Sequence, residues 1–264
     1  MQSTPLWLTA AFSALTCATS HVNVVGGDLV PRGTHLYVAG LRHTATGPIF
    51  CGAALIHPRF LLTAAHCLPP NGTLRLWASI GATLSNGTDG ERMLSLRYTQ
   101  HPNFNASTKA YDVGVVELMF PSRQPPIPVH WEDDAFYAPN TTAYVHGFGL
   151  VAFGGRAADR LEQAAVPIRA NPDCAAIFRG VATITDAMLC AGGAGCDACT
   201  GDSGGPLIVR TNGCERLIAI VSWGIGCGVP GVPGVYTRLS HMREFVDGIV
   251  APSTHNNTNA SSNI

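Results

Sequence analysis

Three side-chain types spread along the chain could together carry out nucleophilic chemistry. Ser203 sits in "GDSGGPL", His66 in "LLTAAHC" and Asp112 in "AYDVGVVEL". A serine hydroxyl is a weak nucleophile near neutral pH. It needs a base within hydrogen-bond reach, and the base needs a carboxylate to orient it. The residues around Ser203 also permit a plainer reading. Glycine supplies positive φ, and Asp and Ser side chains bond to nearby backbone, so a Gly-Asp-Ser-Gly-Gly run alone equally describes a tight turn.

Bringing three such distant residues together requires a rigid frame. The chain has 264 residues, which suits one large domain or two small ones with a sizeable core. With 29 Gly and 18 Pro it is rich in turns, and short apolar stretches such as "FLLTAA", "GVVELMF", "AYVHGFG" and "RLIAIVSWG" alternate with Gly, Pro, Asn and Asp. That pattern predicts antiparallel strands and an all-β fold. The Pro-rich stretch "FPSRQPPIPVHW", 120–131, reads as a linker between two β units of similar size. One helix is predicted near the end. Met242, Phe245, Val246, Ile249 and Val250 fall on one helical face, and Ser240 is a candidate N-cap. Residues 251–264 are polar, without periodicity, and expected to be disordered.

The net charge is −1, so no charge excess favours nucleic acid or an anionic membrane, and neither partner is expected. Residues 1–20, with an apolar run from Leu6 to Leu15 and small residues at Ala18 and Ser20, have the form of a secretory signal, although a basic leader is missing. The run is too short to span a bilayer. Cys17 lies in that leader, and the remaining cysteines form an even set, which predicts disulfides in an exported protein. Cys196 and Cys199 are spaced C-x-x-C, but no second pair follows, so no zinc site or other metal is expected. Candidate glycosylation sequons begin at Asn71, Asn86, Asn105, Asn140, Asn256 and Asn259.

From "VVGG" at 24–27 through "FCGAALIHPRFLLTAAHC", "YDVGVVEL", "CTGDSGGPL", "IVSWGIGCG" and "PGVYTRL", the chain resembles the trypsin-like serine proteases of chymotrypsin fold. The resemblance implies two six-stranded antiparallel β-barrels, about 24–125 and about 135–240, with a helix at about 241–250 and the active site in the cleft between the barrels. It implies that His66 takes the proton of Ser203 and that Asp112 orients the imidazole. Ser222 would bond to Asp112, and the amides of Gly201 and Ser203 would form an oxyanion hole. Asp197 would lie at the base of the primary pocket, with Trp223, Gly224 and Gly234 along its walls, which implies cleavage after Arg or Lys. Lys109 would line the neighbouring subsite and disfavour a basic residue there. The family pattern also implies disulfides Cys51–Cys67, Cys174–Cys190 and Cys199–Cys227, and leaves Cys196 and Cys214, the two remaining by elimination, with their pairing open. A further family bridge is missing at both ends, where Ala143 and Val209 stand.

The resemblance further implies a zymogen. Cleavage before Val24 would free an amine to pair with Asp202, leaving 21–23 as a short propeptide. The residue before that bond is Asn23 rather than Arg or Lys, so an enzyme of this specificity would not activate itself. Phe148 replaces a family tryptophan, and Ala82 replaces the first carboxylate of the calcium loop found in some members, leaving Asp89 and Glu91. The expected partners are protein or peptide substrates with Arg or Lys at the cleavage site and protein protease inhibitors. The expected form is a secreted monomer without a cofactor. The rival expectation is a catalytically silent binding protein on the same scaffold, of the glucanase-inhibitor type.

Overall fold

The computed structural model describes residues 27–70, 74–152, 154–195 and 197–255, with side chains up to residue 251. A two-residue strand β1 (Asp28–Leu29) precedes the first barrel, which closes through β2 (Val38–Arg42), β3 (Cys51–His57), β4 (Phe60–Thr63), β5 (Trp77–Ile80), β6 (Glu91–Gln100) and β7 (Gly114–Leu118). Neighbours run antiparallel in the order β2-β3-β4-β7-β6-β5, and β5 returns to β2 with Ala39 opposite Ile80. The second barrel uses β8 (Thr142–Gly147), β9 (Glu162–Arg169), β10 (Met188–Ala191), β11 (Pro206–Thr211), β12 (Cys214–Trp223) and β13 (Gly234–Arg238). It closes when β8 pairs with both β9 and β11, and β1 adds to the edge of β9. Closure removes the free edges that a long open sheet would expose.

The inward faces explain why these segments are strands. Leu41, Leu55, Phe60, Leu62, Ile80 and Leu118 fill the first barrel, and Val145, Ile168, Leu189, Leu207, Ile218 and Tyr236 the second. In β9, "EQAAVPIR", burial alternates residue by residue as a half-exposed strand requires. The whole of β2, β4 and β7 is buried, so these strands are largely apolar, with Arg42, Thr63 and Glu117 the buried polar exceptions.

Helices are few. A short α1 (Asn171–Ile177) carries Cys174 to its disulfide with Cys190. The terminal helix α2 spans Arg243–His255, starting later and running further than the sequence predicts. Its start shifts because Leu239–His241 forms a 3-10 turn, so Ser240 is not the cap. Its end passes Pro252. Val246 lies in the core against the first barrel, flanked by Phe245, Ile249 and Val250, which makes this face the apolar one. The part of the expected tail beyond His255 lies outside the described residues, as do the leader 1–20, the segment 21–23 and Val24. Among the described residues, no helix is long and apolar enough to cross a membrane.

Candidate active site

His66 lies in a 3-10 turn, Ala65–Cys67, that begins two residues after β4 ends. Three contacts hold this turn. Cys67 is bonded to Cys51 on β3, and the Gln100 side-chain amide donates to the carbonyls of Ala65 (2.8 Å) and Leu68 (3.1 Å). At the foot of the turn, Thr63 Oγ1 donates to the Gly52 carbonyl at 2.8 Å. Asp112 lies two residues before β7 in a tight bend, where Val113 N donates to Tyr111 O at 2.8 Å. Lys109 and Tyr111 reach it with φ of 57° and 53°, left-handed conformations that cost about 1–2 kcal/mol each for residues with a Cβ. Such strain persists only where the surroundings impose it. Here His101 stacks on Tyr111 with ring centres 4.8 Å apart, and Lys109 N is bonded to Asn105 O.

The Asp112 carboxylate is fully buried and its oxygens are committed. Oδ2 lies 2.7 Å from His66 Nδ1 and accepts from Ser222 Oγ at 2.6 Å, while Oδ1 accepts from the backbone N–H of His66 at 2.9 Å. Thr237 Oγ1 donates to the Asp112 carbonyl. With the Asp112 carboxylate accepting at Nδ1, the tautomer that fits this geometry carries its proton there and leaves Nε2 as the hydrogen-bond acceptor. Ser222 reaches Asp112 through a bulge. Against β13, Val221 faces Tyr236 and Trp223 faces Val235, so Ser222 is the extra residue. A bulge re-aims a side chain that regular pairing would direct elsewhere.

The Ser203 loop is a tight turn, and Gly201 and Ser203 on it line the cleft between the barrels. Gly201 and Gly204 adopt φ of 99° and 80°. A Cβ on Gly204 would fall 2.2 Å from Thr63 Oγ1, and one on Gly52 would fall 2.7 Å from the Cα of Gly205. The loop therefore packs backbone to backbone against β3, sealed by Gly52 N donating to Ser203 O at 2.7 Å. The amides of Asp202, Gly204 and Gly205 are all spent on carbonyls. Among the described residues, those of Gly201 and Ser203 have no such acceptor.

Asp202 is completely buried beneath this loop, accepting from Gly149 N (2.7 Å) and Cys199 N (2.9 Å). Burial pushes its pKa up to about 6, and the two N–H groups hold it back from rising further. Glycine is required at 147 and 149, because a Cβ at either would enter the carboxylate.

A cleft of about 360 Å³ joins these parts, lined by His66 and Lys109 from the first barrel and by Ser203, Asp197, Ser222 and Trp223 from the second. Gly224, Gly226 and Gly234 also line it. A Cβ on Gly224 would meet nothing closer than 3.9 Å, whereas one on Gly234 would come within 2.7 Å of Asp197 Oδ1. Asp197 is buried and accepts from Ala198 N at 2.8 Å. Burial, reinforced by the charge of nearby Asp202, pushes its pKa up to about 7. Phe178, after α1, braces Trp223 edge-on at 5.1 Å, and Cys199–Cys227 ties the cleft wall. Asp197 is thus a desolvated acid at the inner end of an open slot, an arrangement that suits a long cationic ligand group.

The structure therefore brings His66, Asp112, Ser203, Gly201, Asp197, Ser222, Trp223, Gly224 and Gly234 to one place. Sequence reasoning missed Thr237, Gly149, the Cys199 amide and the bulge at Ser222. The first three sit inside motifs that match the family pattern, but the bulge has no sequence signal. The three disulfides implied by that pattern are present. Cys214 is a free, exposed thiol, and Cys196, the partner left by elimination, lies outside the described residues. Asn86, Asn105 and Asn140 are exposed, while Asn71, Asn256 and Asn259 lie outside the described residues. Among the described residues, one His/Cys/Asp/Glu group is compact enough for a metal, Cys51–His66–Cys67, and its sulfurs are locked in a disulfide.

Comparison with known proteins agrees with this geometry. The family model described as Trypsin matches residues 24–246. Glucanase inhibitor protein 3 of Phytophthora infestans is 37% identical over 90% of this chain and 94% of its own length. Glucanase inhibitor protein 1 of the same organism is 34% identical over 94% of this chain and 98% of its own. A protein named Trypsin from Saccharopolyspora erythraea is 37% identical over 82% of this chain and 93% of its own. The two-barrel frame, the residues gathered at its cleft and the span of these matches place the chain in the trypsin family.

Proposed function

We propose that the protein is a secreted serine endopeptidase that cleaves after Arg or Lys. The single observation carrying this reading is the buried Asp112 carboxylate fixing Nδ1 of His66 in the cleft that also holds Ser203 and Asp197. In the proposed reaction, His66 Nε2 removes the proton of Ser203 Oγ as the hydroxyl attacks the scissile carbonyl. The developing oxyanion is received by the uncommitted amides of Gly201 and Ser203, each donor worth about 3–4 kcal/mol in the transition state. The imidazolium, stabilised by Asp112, then protonates the leaving amine, and water repeats the cycle on the acyl-enzyme. The substrate's cationic side chain fills the slot over Asp197.

Maturation belongs to the same proposal. Residues 1–20 act as the export signal, and cleavage of the Asn23–Val24 bond by another protease supplies the ammonium that neutralises Asp202. The exposed sequons Asn86, Asn105 and Asn140 are proposed to carry glycans.

The relatives favour a second reading, a protein that binds a glucanase through the same scaffold, and by similarity it is the better supported of the two. Glucanase inhibitor proteins of Phytophthora are 34–37% identical to this chain over 90% or more of its length. Two assays on protein beginning at Val24 separate the readings. Fluorogenic peptides ending in Arg, Lys, Phe or Asp give turnover confined to Arg and Lys if the peptidase reading holds. Titration into a glucanase assay gives stoichiometric loss of glucanase activity if the binding reading holds. No turnover of any peptide would end the first.

A further inference from the structure

A second cavity, of about 530 Å³, shares no residue with the cleft. It is lined by the Pro-rich linker, Pro125-Pro126-Ile127-Pro128, by the hairpin of β11 and β12, and by His35, Leu36 and Tyr37. The linker wall is unusually poor in donors. Three of its four residues have no N–H, and that of Ile127 is spent on Leu55 O at 2.9 Å. It therefore presents a stiff apolar face.

The polar end is different, and its charges can be accounted for one at a time. Glu215 Oε2 lies 3.0 Å from His35 Nδ1 and accepts from Tyr37 at 2.9 Å, while its Oε1 accepts from Arg210 Nε at 3.0 Å. Burial alone would raise Glu215, but the bonds from His35 and Tyr37 outweigh it and hold the pKa down to about 2, so the group stays an anion. Arg210 is committed to Glu215 and, at 2.7 Å, to Gln163. Arg216 makes one bond, to the Glu215 backbone carbonyl at 3.2 Å, and among the described residues it has no ion pair. The cavity thus combines an arginine that has no ion pair among the described residues with a donor-poor proline face. Its volume lies within the range for small-molecule sites, roughly 300–1,000 Å³.

We propose that this cavity is a binding site for small aromatic carboxylates, with the ring against the proline wall and the carboxylate on Arg216. Guanidinium recognises carboxylate through paired N–H donors, and proline faces pack well against flat rings. The site is independent of the cleft and of any peptidase activity. The free thiol of Cys214, which lines the same cavity, provides a reporter.

The test measures alkylation of Cys214 by iodoacetamide in the native protein, located by peptide mass, as 2-naphthoate is titrated. Alkylation should slow with saturation, by about ten-fold when naphthoate reaches about ten times its Kd. The uncharged 2-naphthylmethanol should protect far less. In Arg216→Gln, half-protection should need at least about ten-fold more naphthoate. Ser203→Ala should behave as the unmodified protein, which separates this site from the cleft. An alkylation rate unmoved by millimolar naphthoate, equal protection by the alcohol, unchanged protection in Arg216→Gln, or a Cys214 that resists alkylation in the free protein would each overturn the proposal. The naphthoate–alcohol comparison needs no variant, so it stands even if Arg216→Gln fails to fold.

Discussion

Asp197 is the residue whose chemistry depends most on what enters the cleft. Empty, its desolvated carboxyl titrates at about 7. A cation seated beside it favours the charged form, so binding releases a proton and strengthens as the acid ionises. Benzamidine affinity should rise about ten-fold between pH 6 and pH 8 and level off above that, as calorimetry at several pH values would show. Flat affinity would mean that the acid is ionised before the ligand arrives. Gly234→Ala places a methyl in the space of Asp197 Oδ1, and a displacement of that size costs about 10²-fold in kcat/KM for Arg substrates. Ser222→Ala removes a donor from the buried Asp112 while leaving His66 in place, a loss of about 1–3 kcal/mol, readable in both thermal stability and turnover.

At the scale of elements, the cleft depends on how closely the nucleophile loop lies against β3. Gly52 is the contact point, where a Cβ would press on the Gly205 backbone rather than on a side chain that can swing away. Gly52→Ala should therefore cost about 1–3 kcal/mol and lower Tm by several degrees. Turnover should fall with it, whereas Gly154→Ala, in open space but with φ of 71°, should cost stability alone. The sequence made much of this legible. Strand alternation, the linker prolines and the helical spacing of Phe245, Val246 and Ile249 are local patterns, and the structure follows them. What it could not show arises from pairing between distant strands. Ser222 is re-aimed by register against β13, and Tyr111 is strained by packing under His101, neither of which leaves a trace in neighbouring residues. The end of α2 was misread because a proline usually stops a helix, and here it does not.

Considered as a whole molecule, the two barrels enclose two acids that burial pushes toward protonation. Asp202 titrates at about 6 in the fold, against 3.8 for the free group. The folded state then binds more protons than the unfolded chain between those values, so stability is greatest in acid and is lost as pH rises from about 4 through about 6. An ammonium on Val24 would reverse this, because a paired carboxylate prefers to be charged. Protein beginning at His21 should lose Tm across that window, and protein beginning at Val24 should not, with Asp197 common to both forms. Parallel curves would show that no such pairing forms.

The proposed peptidase activity requires convergence, with an imidazole from the first barrel and a hydroxyl from the second acting on one substrate. Reaction of the Val24 form with a fluorophosphonate, followed by intact mass and peptide mapping, tests this most directly. A single adduct on Ser203, absent in His66→Ala, is the predicted result. An unlabelled Ser203 in correctly processed protein, or labelling that survives loss of His66 undiminished, would contradict it.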